Sequence, residues 1–108
     1  MDERKKILTV HIGKLDIFEW TTNTGRNILM PELLVGCEEL LYKNLEEVMC
    51  LRVETSIRGK QKAFDFSVKI DGVDDTLKKI MNWALENEDY ETCQRVKNLN
   101  EYLEQDTF

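Results

Sequence analysis

One histidine, one proline and three cysteines are all this chain holds of the residues that most often mark catalysis, sharp turns and cross-links. The scarcity excludes a good deal. His11 lies in an alternating, strand-like stretch with no cysteine near it in sequence, which favours a structural or surface role over that of a general base. Cys37, Cys50 and Cys93 are odd in number and widely spaced. They form neither a disulfide framework nor a zinc pattern, and read as small buried hydrophobes. No GxSxG, P-loop, HExxH or GxGxxG is present, so nothing announces a nucleophile elbow, a phosphate cradle or a metalloprotease centre. The expectation is no enzyme, no cofactor and no metal. Acidic pairs such as Glu38-Glu39 and Glu46-Glu47 read as solvated charges. No apolar run approaches the roughly 20 residues of a membrane span. The opening MDERKKILTV lacks the apolar core and cleavage site of a secretory signal. A cytoplasmic protein without membrane contact is expected.

What is present is ordinary for one globular domain. The 108 residues can bury one core but hardly two. With 42% hydrophobic residues the chain is too apolar for intrinsic disorder. Charge is distributed unevenly. Residues 1–70 carry eleven bases and eleven acids, whereas residues 71–108 carry four bases against ten acids, so the whole net charge of −6 falls on the last third. A negative surface there repels nucleic-acid phosphates and anionic lipid, and attracts a basic patch on a protein.

Residues 5–20 (KKILTVHIGKLDIFEW) alternate with a period of two and predict a strand, with Gly13-Lys14 as either a tight turn or a bulge. The polar stretch 21–29 predicts a loop, and Met30-Pro31 the opening of a helix. Leu33, Leu34, Cys37, Leu40 and Leu41 supply that helix with an apolar stripe. A hairpin follows, flanking Arg58-Gly59-Lys60-Gln61. Leu51, Val53 and Ile57 share a face of its first strand, and Phe64, Phe66, Val68 and Ile70 a face of its second. Asp74 or Asp75 then caps a helix with a stripe of Leu77, Ile80, Met81, Ala84 and Leu85. After a turn at Asn87-Glu88-Asp89, a second helix carries Tyr90, Cys93, Val96, Leu99 and Leu103. So short a connection makes the two helices antiparallel neighbours. The order β(β)–α–β–β–α–α over 1–71 and 72–108 predicts an α+β domain: a small antiparallel sheet packed by one helix, then an acidic helical hairpin.

Leu77 to Leu103, about a quarter of the chain, resembles the UVR motif. This is the short helical hairpin at the C-terminus of the UvrB repair protein, within UvrC and in some bacterial protease adaptors. Glu88-Asp89-Tyr90-Glu91 stands where that family has its acidic turn, with Ala84 before it. Cys93 and Val96 stand where the family favours Ala and Leu, Lys97-Asn98 replace its Arg-Asp pair, and Leu103 fits the final apolar position. Gln94 and Asn100 depart from the pattern, on the surface through which the family self-pairs. The resemblance implies protein–protein contact without catalysis, in a bacterium or a phage-infected host.

Three functions follow as expectations. The leading one is an adaptor or modulator that contacts a protein with a basic surface through Trp83, Glu86, Glu88, Asp89, Tyr90 and Glu91, with Tyr90 as the amphipathic anchor. Trp83 admits two readings: buried, it locks the hairpin to the sheet; exposed, it is an interface anchor. The second function is an acidic inhibitor seated in a nucleic-acid or nucleotide site of a target. The third is a binder of a small ligand or single strand, using the sheet with Arg26, Arg52, Arg58 and Lys60. Against nucleic acid stand the acidic net charge and the assignment of Phe64 and Phe66 to the core face. A homodimer through a strand edge or the hairpin is compatible with all three.

Overall fold

In the computed structural model, which describes residues 7–105, three strands and four helices follow in the order β1 (Leu8–Gly13), α1 (Ile17–Glu19), α2 (Arg26–Tyr42), β2 (Glu47–Ile57), β3 (Lys60–Lys69), α3 (Val73–Glu86) and α4 (Tyr90–Gln105). The class is α+β, as expected. The sheet, in order β1-β2-β3, is mixed rather than antiparallel throughout. β1 runs parallel to β2, with Leu8 opposite Leu51 and Val10 opposite Val53. The reason is the connection. A helix crosses from the end of β1 back to the start of β2, and such a crossover joins parallel strands.

No second strand forms after Gly13. The register with β2 is irregular between His11 and Gly13, and Gly13 takes φ 62°. Asp16 then accepts from the N–H groups of Phe18 and Glu19 and caps α1. The stretch read as a loop is helical. Trp20–Thr24 makes a wide turn closed by Gly25 N–H to the Trp20 carbonyl at 2.6 Å, and α2 begins directly after it. A Cβ at Gly25 would fall within 2.1 Å of the Trp20 ring. Pro31 therefore lies inside α2 rather than at its first position.

β2 and β3 form the expected hairpin, with a tighter turn. Ile57 pairs with Lys60, leaving Arg58 (φ 54°) and Gly59 (φ 76°) as the two central residues, both left-handed as a type I′ turn requires. The pairing skips from Met49–Ser67 to Leu51–Phe66, so Cys50 is the extra residue of a bulge. The bulge lets both Val48 and Leu51 face the core, which strict alternation forbids.

One sheet face is covered and the other, with Thr9, His11 and Asp65, lies open. Leu51 and Val53 pack with Trp20 and Leu29, joined by half-buried Val10, Ile12 and Phe66. The larger cluster joins Val48 and Val68 of the sheet to Leu34, Cys37, Leu40 and Leu41 of α2, and to Leu77, Ile80, Ala84, Val96 and Leu99 of the helical hairpin. α2 is thus buried on two sides, by the sheet and by α3 and α4. It approaches β2 closely where Gly36 faces Cys50: a Cβ at Gly36 would lie 2.2 Å from the Cys50 sulfur. On the other side the Arg95 guanidinium of α4 reaches the Glu38 carboxylate of α2, with Nε at 3.0 Å. Neither Asp74 nor Asp75 caps α3. Gly72 holds that position, and the two acids lie in the first turn, where they complement the helix dipole.

Candidate functional site

The α3–α4 turn is built from two interlocked backbone motifs. Glu88 N–H donates to the Leu85 carbonyl at 3.2 Å and Asp89 N–H to that of Ala84 at 2.8 Å. Glu88 takes φ 53° between them. This is a Schellman closure of α3 with a glutamate where glycine is usual. Asp89 then starts α4 at once: its carboxylate accepts from the Thr92 N–H (3.2 Å) and the Thr92 hydroxyl (2.7 Å). Those two bonds hold the Asp89 carboxyl below the usual carboxylate range.

With the backbone so fixed, the six residues singled out in sequence separate by role. Trp83 is buried, and its indole N–H donates to Asn27 Oδ1 of α2 at 3.0 Å. It thus follows the packing alternative, against α2 rather than the sheet. Asp89 is spent on the cap. Glu86 lies 3.4 Å from Arg26 Nη1. Glu88, Tyr90 and Glu91 face solvent; among the described residues the side chains of Glu88 and Glu91 make no hydrogen bond or ion pair, although the Glu91 carboxylate is near enough to Arg95 to strengthen its positive charge. Tyr90 is 67% exposed and Leu85, which periodicity assigned to the buried stripe, is 55% exposed. The turn therefore presents an aromatic ring, a branched aliphatic and two solvent-facing carboxylates on a rigid backbone.

The basic residues proposed for a ligand do not converge. Arg52 is engaged by Asp65 across the open sheet face, Nε to Oδ1 at 2.7 Å and Nη2 to Oδ2 at 3.2 Å. Each partner strengthens the other's charge, raising the Arg52 pKa and lowering that of Asp65. Arg26 lines a polar concavity of about 380 Å³ with Thr22, Asn23, Asn27, Glu86 and Asn87. Arg58 and Lys60 line a separate hollow of about 230 Å³ with Thr55, Ile57 and Lys62 at the hairpin tip. That tip projects beyond the helices, since residues 56–63 are all exposed. Ile57, read as core, is exposed for this reason, and Ile70 is exposed too. Phe64 and Phe66, read as core, are half-buried, and the Phe66 ring lies 6.5 Å from that of Trp20.

His11 Nδ1 lies 3.0 Å from Glu54 Oε1 on the open face, in a shallow site of about 340 Å³ that includes Ser56 and Lys62. Among the described residues no group of three or more His, Cys, Asp or Glu converges to hold a metal ion. No described helix is long and apolar enough to cross a membrane. At the far ends of α2 and α4, Tyr42 and Tyr102 meet edge to face at 5.2 Å, a surface pair to which the sequence pattern assigned nothing. Compared with protein-family models, with curated proteins and with solved structures, the chain matches none.

Proposed function

We propose that the chain is a noncatalytic interaction domain whose α3–α4 turn docks on a basic surface of a protein partner. The observation that carries this reading is the exposure of Leu85 and Tyr90 at one turn, beside the solvent-facing carboxylates of Glu88 and Glu91. Tyrosine supplies contact area at low entropic cost. The carboxylates steer a basic partner and fix its register. The Schellman closure and the Asp89 cap hold the backbone before the partner arrives, which lowers the ordering cost of association. The resemblance to UVR hairpins supports the same class of role. The apolar stripe through which such hairpins pair is occupied here by α2, so docking falls to the turn. In this reading the domain acts in the cytosol of a bacterium or phage-infected host, where three cysteines outside any disulfide suit a reducing compartment.

The test is quantitative affinity capture with the full chain and with a Leu85→Ser/Glu88→Lys/Tyr90→Ala variant, at low and high salt. At least one reproducible partner should be lost from the variant and weakened by salt on the wild-type chain. Retention of every captured protein by the variant would sink the proposal.

A further inference from the structure

The two outer edges of the sheet differ in chemistry. β3 carries Lys60, Lys62, Asp65 and Lys69 along its ten residues, and charged side chains of this kind guard an edge against further pairing. β1 reads Leu8-Thr9-Val10-His11-Ile12-Gly13, with no Lys, Arg, Asp, Glu or Pro. Among the described residues no strand lies on its outer side. Leu8 is 43% exposed although its register partner Leu51 is fully buried, and Val10 and Ile12 are only half-buried although they pack with Leu51 and Val53. Apolar surface on the covered side of the sheet is therefore left open along this flank.

We infer that β1 pairs antiparallel with β1 of a second copy, joining two three-stranded sheets about a two-fold axis at Val10. The strand is complementary to itself in that register. Val10 meets Val10 of the second copy, Leu8 meets Ile12, and Thr9 meets His11. The covered side then gains only apolar pairs. The open side sets a hydroxyl opposite an imidazole, with no like charges facing. A slip of one residue would set Leu8 opposite His11 and put the helices of the two copies on opposite faces of the joint sheet, leaving the exposed flanks of Leu8, Val10 and Ile12 uncovered. The contact of His11 Nδ1 with Glu54 Oε1 draws the ring over β2, away from the outer edge. The guarded edge of β3 directs pairing to β1. An isologous interface of this kind closes at two copies. The inference does not rest on the docking reading of the α3–α4 turn.

Size exclusion with light scattering on the full chain, over a wide concentration range, tests it together with two double variants. Thr9 and His11 face solvent on the open side, so both can be changed without entering the core, and circular dichroism checks the fold. Thr9→Lys/His11→Lys sets like charges opposite each other in the proposed register and should weaken dimerisation about tenfold. Thr9→Glu/His11→Lys sets opposite charges there and should restore it. A wild-type chain that stays monomeric throughout overturns the inference. So does a dimer that responds to neither variant, and loss of that dimer on Tyr90→Ala would then move self-association to the α3–α4 turn.

Discussion

The indole N–H of Trp83 meets the side-chain carbonyl of Asn27 at 3.0 Å, joining α3 to α2 across 56 residues of sequence. The ring is buried, and the bond forms at the edge of the polar hollow that Trp83 and Asn27 both line. Asn27→Ala should cost about 0.5–1.5 kcal/mol, the net worth of a hydrogen bond whose donor borders a polar hollow. Trp83→Phe, which removes the donor together with some ring area, should cost a similar amount. Thermal unfolding followed by tryptophan fluorescence measures the first, and circular dichroism the second. A melting temperature unchanged by Asn27→Ala would show that the bond contributes nothing.

Glu88 occupies the left-handed region at φ 53°, which strains an L-residue by roughly 1–2 kcal/mol. Glycine relieves that strain and loses part of the gain to unfolded-state entropy. Glu88→Gly should therefore stabilise the domain by up to about 1 kcal/mol. If the turn docks as proposed, the same substitution should weaken partner binding, because it removes a carboxylate. Stability and binding would then move in opposite directions, which no general loss of structure can mimic.

Gly36→Ala adds a helix-favouring residue and is nevertheless expected to destabilise by about 1–3 kcal/mol, because its Cβ would fall 2.2 Å from the Cys50 sulfur. Cys50→Ala removes that sulfur and should rescue Gly36→Ala. A double-mutant cycle in chemical denaturation reads the coupling directly.

Asp89 and Cys37 contribute pH dependences at opposite ends of the scale. Asp89 is held below the usual carboxylate range by Thr92. Its contribution is complete above the unfolded value of about 4 and is lost as pH falls through the depressed one. Asp89→Asn, which still caps a helix, should flatten the acid limb of the stability profile. Burial, then Cys50 and Glu38, push the Cys37 thiol up to about 12 from an ordinary 9.0. The folded state is therefore fully favoured below about pH 9 and loses stability above it. In the native chain Cys37 should react with a thiol reagent far more slowly than Cys50 or Cys93, both of which are only half-buried.

Ending the chain at Asp71 should abolish the native state. Leu77, Ile80, Val96 and Leu99 are each at most 1% exposed. At about 1.5–3 kcal/mol per side chain they contribute on the order of 10 kcal/mol, which rivals the whole stability of a typical domain. Loss of near-UV circular dichroism and aggregation on size exclusion are the expected readouts. A folded monomer would contradict the packing described above.

Where residues report their surroundings by period, the sequence was readable. The stripe of α2, the β2–β3 hairpin and the α3–α4 turn with its cap followed from spacing and turn chemistry. Three things did not. The direction of β1 depended on a crossover helix whose first residues, Arg26-Asn27, look like loop, and whose Pro31 suggested a later start. The bulge at Cys50 shifted alternation by one residue and hid Val48 from a period of two. At the site, Glu88, Tyr90 and Glu91 were identifiable because acids around an aromatic stand out. The exposure of Leu85 and the contact of Glu86 with Arg26, 60 residues away in sequence, depended on contacts that no local pattern encodes.

The position of α2 between the sheet and the helical hairpin also constrains how the chain comes into being. One side of this helix is met by strands that flank it in sequence, the other by residues as distant as Val96 and Leu99. During synthesis from the N-terminus, α2 must wait with an uncovered oily side until α4 has emerged from the ribosome. Folding of this domain therefore completes only once Leu99 is available to pack, and the exposed side of α2 is the surface a chaperone would meet first.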